Sequence, residues 1–111
     1  QAGFLLEEGA EVARISRDNA WSNISSLLGG TNYYPTLSLG VWTLSSTPNT
    51  EGIFTRTVSV ENVKRDTTTS DISVAGTDDA GTRLVTVTVS WLEGGATITK
   101  VLSFYLTDIF S

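Results

Sequence analysis

Two alternating runs near the C-terminal end constrain the fold of this 111-residue chain more than any other feature. Residues 82–92 (TRLVTVTVSWL) and 96–107 (ATITKVLSFYLT) alternate apolar and polar side chains, and Glu93-Gly94-Gly95 separates them. A two-residue period of this length is typical of half-buried strands, and a short glycine turn between two such runs predicts an antiparallel hairpin. The residues expected on its inner face are Val85, Val87, Val89, Trp91, Ile98, Leu102, Phe104 and Leu106.

The N-terminal region has the period of an amphipathic helix over residues 2–20. One stripe of this helix is apolar or small and would cover a sheet; it consists of Ala2, Leu5, Leu6, Gly9, Val12, Ala13, Ser16 and Ala20. The opposite side is charged and carries Glu7, Glu11, Arg14 and Asp18. We expect a brief helical continuation through residues 21–28, which Gly29-Gly30 ends.

The middle of the chain predicts further strands. Residues 33–39 and 41–45 are short candidates, and Pro35 places the first of them at a sheet edge. Residues 53–63 alternate, and Arg56 has the same parity as the apolar residues of that run. We therefore expect Arg56 at an edge position, or a bulge in the strand. Residues 64–81 predict a long polar connection with a short strand at 72–74.

These elements predict an α+β fold in a single domain spanning residues 1–111. A helical segment (1–28) would lie on one face of an antiparallel sheet of four or five strands, which residues 32–111 would form together with their loops. One modest core is what a chain of this length can build.

Composition argues against several classes of function. The net charge of −5 disfavours a nucleic-acid partner. The absence of histidine and cysteine removes the commonest general base and the commonest metal ligands, so we expect no catalytic residues, no cofactor and no metal site. Asp71, Asp78 and Asp79 leave two alternatives open: calcium ligands, or solvated acids in a connection.

Four segments in order resemble type IV pilins, in particular minor pilins of the PilV type and type II secretion pseudopilins. They are LLEEGAEVARISRDNAWSNI (5–24), FTRTVSVENVKRD (54–66), DDAGTRLVTVTVSW (78–91) and the strand end FYLTD (104–108). The resemblance implies a structural filament subunit without catalysis, at the bacterial cell surface and anchored in the inner membrane before assembly. Its partners would be other pilin subunits. The membrane-anchoring half-helix is expected to precede Gln1, and the disulfides of some pilins are absent.

The same resemblance implies contacts between helices of neighbouring subunits. Side chains outside the apolar stripe would make them, namely Phe4, Glu8, Glu11 and Ile15. The alternative is that these side chains are simply partly exposed. Without its anchor, the isolated domain should be monomeric or only weakly associating.

The position of Lys100 suggests an alternative function for the protein. It shares the inward parity of Ile98 and Leu102, although burying an unpaired ammonium is costly. Either its stem packs at a strand end while the amine reaches water, or it forms an intramolecular isopeptide bond, as in the adhesin-type β domains of Gram-positive pili. The leading helix disfavours the adhesin reading.

Overall fold

A computed structural model of the protein describes residues 1–108, and the last three residues of the predicted single domain lie outside the described part. Its helices and strands, in chain order, are α1 (Ala2–Asn19), α2 (Ser22–Ser25), β1 (Tyr34–Ser38), β2 (Val41–Ser45), β3 (Thr55–Arg65), β4 (Thr77–Glu93) and β5 (Ala96–Thr107). The fold class is α+β, as the sequence predicts, with the helix packed on antiparallel sheets.

The C-terminal hairpin is confirmed. Strands β4 and β5 pair antiparallel without interruption from Glu93 opposite Ala96 to Thr82 opposite Thr107. Gly94 and Gly95 form the turn with φ of 58° and 83°. Two successive positive φ angles define the type I′ turn that suits the twist of a hairpin, and glycine adopts them without a steric penalty.

The expectation of one sheet with four or five strands is wrong, because the strands form two sheets. Strands β3, β4 and β5 form a three-stranded sheet, while β1 and β2 pair only with each other. A single bridge links them, in which Tyr33 and Val58 exchange two backbone hydrogen bonds of 2.8 and 2.7 Å. The next hydrogen-bonded pair of such a ladder would join Pro35 to Arg56, and Pro35 has no N–H to donate. The junction therefore stops after one pair.

Helix α1 lies across one face of the three-stranded sheet. Its buried residues follow the predicted stripe and add Ala10: Leu5, Gly9, Ala10, Val12, Ala13 and Ser16. Beneath them the sheet presents Val58 and Val60 of β3 and Val85, Val87 and Val89 of β4, all essentially inaccessible to solvent. Leu102 and Phe104 of β5 are half-buried beside this core. The opposite face of the sheet carries mostly threonine and serine, and neither helix of residues 1–108 lies over it.

Gly9 sets how closely the helix approaches the sheet. A Cβ atom at this position would lie 2.7 Å from a methyl group of Val87 and 3.3 Å from Cδ of Arg56. Both neighbours are buried, so neither can move aside without disturbing the core. The glycine is therefore required by packing, although it costs helix propensity.

Both features that the parity of Arg56 predicts, an edge strand and a bulge, are present, but neither exposes its side chain. Strand β3 is an edge strand, and its one register shift lies at Asn62/Val63, six residues beyond Arg56. The bulge therefore does not turn Arg56 outward. The side chain keeps its inward parity and is 2% exposed beneath the helix.

The connection between β3 and β4 is shorter than the predicted one, because β3 continues to Arg65. Ile72 makes one bridge to Arg65 and does not form the predicted short strand.

The close approach at Gly9 gives a matched pair of substitutions. Alanine raises helix propensity by about 1 kcal/mol over glycine, but overpacking a core costs about 1–3 kcal/mol. Gly9→Ala should therefore lower the free energy of unfolding. Gly3→Ala, in the same helix but with open space around the added methyl group, should leave stability unchanged or raise it by up to about 1 kcal/mol. Urea unfolding of both variants is the measurement, and equal effects would contradict the packing role of Gly9.

Candidate subunit-contact site

The four side chains expected at a subunit contact lie on α1 in different environments. Phe4 is 63% exposed, and Ile15 is half-buried. The Glu11 side chain is 62% exposed and faces Arg14 at 3.6 Å one turn away. Glu8, in contrast, turns toward the sheet. The helix therefore keeps Phe4, Glu11 and the exposed part of Ile15 on its outer side.

Glu8 forms an ion pair with Arg56 across the seam between helix and sheet. Its Oε1 accepts a hydrogen bond of 2.8 Å from Nη1 of Arg56, and the same nitrogen donates to the backbone carbonyl of Leu5 at 3.2 Å. The Arg56 side chain is 2% exposed and that of Glu8 is 28% exposed. This interaction joins the first turns of α1 to β3.

The rest of the Arg56 guanidinium is buried with few polar partners. Its Nε and Nη2 have no hydrogen-bond acceptor among residues 1–108. The guanidinium carbon lies 6.0 Å from the centre of the Trp42 ring, a distance at which the π-face attracts a cation. The positive charge is therefore balanced mainly by one carboxylate, which makes that carboxylate structurally important.

Glu8 was expected at a subunit contact, and the structure shows that its carboxylate already pairs with Arg56 within the chain. Its part in a contact with a neighbouring subunit stays a prediction. The sequence held a signal for this pairing. Arg56 had inward parity, and Glu8 is the acid beside Gly9 at the border of the apolar stripe. To predict that Glu8 and Arg56 meet, one must know where the helix crosses the strand, and the periodicity of the sequence does not specify that position.

The far end of the helix is fixed by hydrogen bonds and a cation–π contact. Trp21 donates from Nε1 to the carbonyl of Ala80 at 3.1 Å, and the guanidinium of Arg83 lies 5.8 Å from the Trp21 ring centre. The side-chain amide of Asn23 donates to the carbonyl of Ser16 at 3.0 Å, and that carbonyl also accepts the backbone N–H of Ala20 at 3.2 Å. Both ends of α1 are thus attached to the sheet region.

Of the three acids that could have bound calcium, Asp79 is engaged in structural hydrogen bonds. Asp79 accepts from Nε of Arg65 at 2.6 Å, from the hydroxyl of Thr82 at 2.7 Å and from the amide of Gly81 at 2.9 Å. The Arg65 contact, with the other two, lowers the pKa of Asp79 to about 2. Asp71 and Asp78 are exposed. Within residues 1–108 no group of three acids, histidines or cysteines is arranged to hold a metal ion.

Asp66 organises the loop after β3. Its Oδ1 accepts the amides of Thr68 and Thr69 at 2.8 and 3.0 Å, and these bonds lower the pKa of Asp66. Arg65 also donates from Nη1 to the carbonyl of Ser70 at 3.0 Å. The loop is therefore attached to the end of the sheet by its own polar residues.

Comparison with protein-family models, curated proteins and solved structures gives no match at all. None of the helices within residues 1–108 combines the length and the apolar character needed to cross a bilayer.

The buried ion pair predicts unequal effects for two glutamates on one helix. Glu8→Ala would leave the Arg56 charge buried without a carboxylate and should cost about 3 kcal/mol of unfolding free energy. Glu11→Ala removes an exposed pair and should cost less than about 0.5 kcal/mol. Chemical denaturation measures both. Replacing both partners, as Glu8→Gln with Arg56→Met, should recover part of the loss; no recovery would contradict the charge-burial explanation.

The contacts of Asp79 predict a pH-dependent contribution to stability. Above its unfolded-state pKa of about 3.8, the contribution is complete; it is lost as the pH falls toward the folded-state pKa of about 2. Asp79→Asn should therefore be less stable than the parent near neutral pH, and the difference should shrink between about pH 4 and pH 2. Urea midpoints measured across this range test it. Asp78→Asn, at an exposed neighbour, should have little effect; a deficit of Asp79→Asn that is constant with pH would contradict the assignment.

Proposed function

We propose that this chain is the globular part of a structural subunit of a type IV pilus-like filament or type II secretion pseudopilus, of the minor pilin or pseudopilin class. On this proposal the subunit is exported, is held in the inner membrane before assembly by a helix segment preceding Gln1, and ends at the cell surface among other pilin subunits. It performs no catalysis.

The observation that carries the proposal is that α1 presents two usable faces. One face is buried on the sheet through small residues and Gly9, and the other exposes Phe4 and Glu11. A helix whose only role was to cover a sheet would need no phenylalanine on its outer side, although single exposed apolar residues also occur at random. Contacts between subunits along the helix would explain the second face.

The geometry also supports a contact of mixed character. Phe4 offers apolar area that a neighbouring helix could cover, and the Glu11–Arg14 pair about two to three turns later offers both charges at the surface. Apolar burial would supply affinity, while the charges would favour one alignment of the subunits. The half-buried Ile15 would lie on the same side of the contact.

The adhesin alternative gains no support from Lys100. The residue lies on β5 with its side chain exposed, opposite Val89 in the ladder. The amine therefore reaches water, which is the ordinary arrangement of a lysine. Nothing in this environment favours an isopeptide bond.

Substitution on the outer face of α1 in the full-length subunit tests the proposal. Phe4→Ser should reduce incorporation into filaments by roughly tenfold or more, because a buried interface aromatic contributes on the order of 1–2 kcal/mol or more. The Tm of the globular domain should move little, since Phe4 is exposed. Incorporation is measured as the ratio of subunit in sheared filaments to subunit in cells.

The matched control is Leu92→Ser, which removes another exposed apolar side chain at the end of β4, away from α1. It should leave incorporation unchanged. The chain has no cysteine, so Glu11→Cys, which keeps Phe4, would supply its only thiol for cross-linking neighbouring subunits within filaments. Normal incorporation of Phe4→Ser, or equal losses in Phe4→Ser and Leu92→Ser, would contradict the proposed contact face.

A further inference from the structure

Strand β5 is an open edge of the three-stranded sheet. The strand order β3–β4–β5 leaves β5 with one neighbour. The other edge, on β3, is partly closed, because Tyr33 bonds to Val58 and the amide of Ser73 donates to the carbonyl of Lys64 at 2.9 Å. Within residues 1–108 no strand pairs with the outer side of β5.

The outward-facing backbone groups belong to alternate residues. The tight turn makes Glu93 and Ala96 a hydrogen-bonded pair, so the even-numbered residues of β5 bond to β4. The same alternation continues through β4 to β3, where it leaves the even-numbered residues with outward-facing backbone groups. Val58 is one of them, and it bonds outward to Tyr33. The residues that point N–H and C=O groups outward are therefore Thr97, Thr99, Val101, Ser103, Tyr105 and Thr107.

This edge lacks the usual protection against pairing. Natural edge strands are short, bulged, or marked by proline and charge. Strand β5 has 12 residues in unbroken register with β4, contains no proline, and carries one charge, Lys100. Val101 and Tyr105 on the uncovered face of the sheet are 57% and 51% exposed. The outer edge of β5 can therefore form backbone hydrogen bonds with another strand.

We propose that β5 pairs antiparallel with β5 of a second copy of this chain, which would join two three-stranded sheets into one of six strands. This inference rests on the sheet edge alone and does not depend on the filament proposal. A two-fold axis perpendicular to the sheet produces this arrangement and keeps both helices on the same face.

The sequence of β5 is complementary to itself about Leu102. In that register Thr99 lies opposite Tyr105, which pairs a β-branched with an aromatic side chain. Val101 lies opposite Ser103, which pairs a β-branched with a small polar side chain. Lys100 lies opposite Phe104, whose ring already carries the guanidinium of Arg14 at 4.7 Å from its centre. The two lysines are four residues apart along the paired strands, so the strand's only charge does not face its own copy.

The dimer should be weak in solution. A strand of 12 residues is about 40 Å long. Pairing along a single strand edge buries much less surface area than the roughly 1,600 Å² that stable interfaces bury. Each copy also has a formal charge of −5, which opposes association. Pairing should therefore depend on protein concentration.

Amide hydrogen exchange, followed by NMR between roughly 10 µM and 1 mM protein, tests the pairing with a control inside the strand. The even-numbered amides of β5 bond to β4 and should be protected at every concentration. The amides of Thr99, Val101 and Ser103 should exchange fast in dilute protein and at least tenfold more slowly in concentrated protein. If these odd-numbered amides exchange at one rate throughout the range, the proposal is overturned.

Substitutions at Val101 separate edge pairing from other association, with sedimentation equilibrium as the readout. Val101→Pro removes one outward N–H that β4 does not use, and should lower the association constant at least tenfold. Val101→Thr retains that N–H and should associate as the parent does. Val101→Lys keeps the fold even if the proline variant unfolds, and should also block association although it reduces the net negative charge. Association that persists in Val101→Lys would place the contact elsewhere and overturn the inference.

Discussion

Arg56 lies under the helix at the point where α1 and the sheet come closest, and the rest of the arrangement depends on how its charge is held there. Gly9 allows the approach, because a Cβ atom would meet both Val87 and the Arg56 stem. The guanidinium then reaches Glu8 and the Leu5 carbonyl on the helix. A buried arginine with one carboxylate is costly to disturb, so this contact fixes where the helix crosses the sheet.

The position of the helix determines which surfaces remain available. With one stripe on the valine core, Phe4 and Glu11 point away from the sheet, and the threonine-rich face and the β5 edge are left uncovered. Two separate surfaces are therefore left exposed, one on the helix and one along the edge of β5, and we propose association at each. The first would rely on side-chain contacts and the second on backbone hydrogen bonds.

Periodicity predicted the elements themselves with good accuracy. The hairpin of β4 and β5, the buried stripe of α1 and the short α2 all follow from local patterns, because side-chain alternation and helical spacing directly report which face is buried. The division into two sheets was not predicted. It depends on whether one more pair forms after Tyr33, and that is decided by the missing N–H of Pro35 at a specific place in the ladder.

The sequence by itself determined the α+β class, the inward parity of Arg56 and the outer position of Phe4, since each is a property of one element and its period. Only the tertiary structure decided that Glu8 faces inward to Arg56, that Asp79 binds Arg65 and that β5 is the open edge. These features join residues that are 48 and 14 positions apart, or concern the order of strands. Local periodicity carries no information about which distant elements meet, because that choice is made by packing of the whole chain.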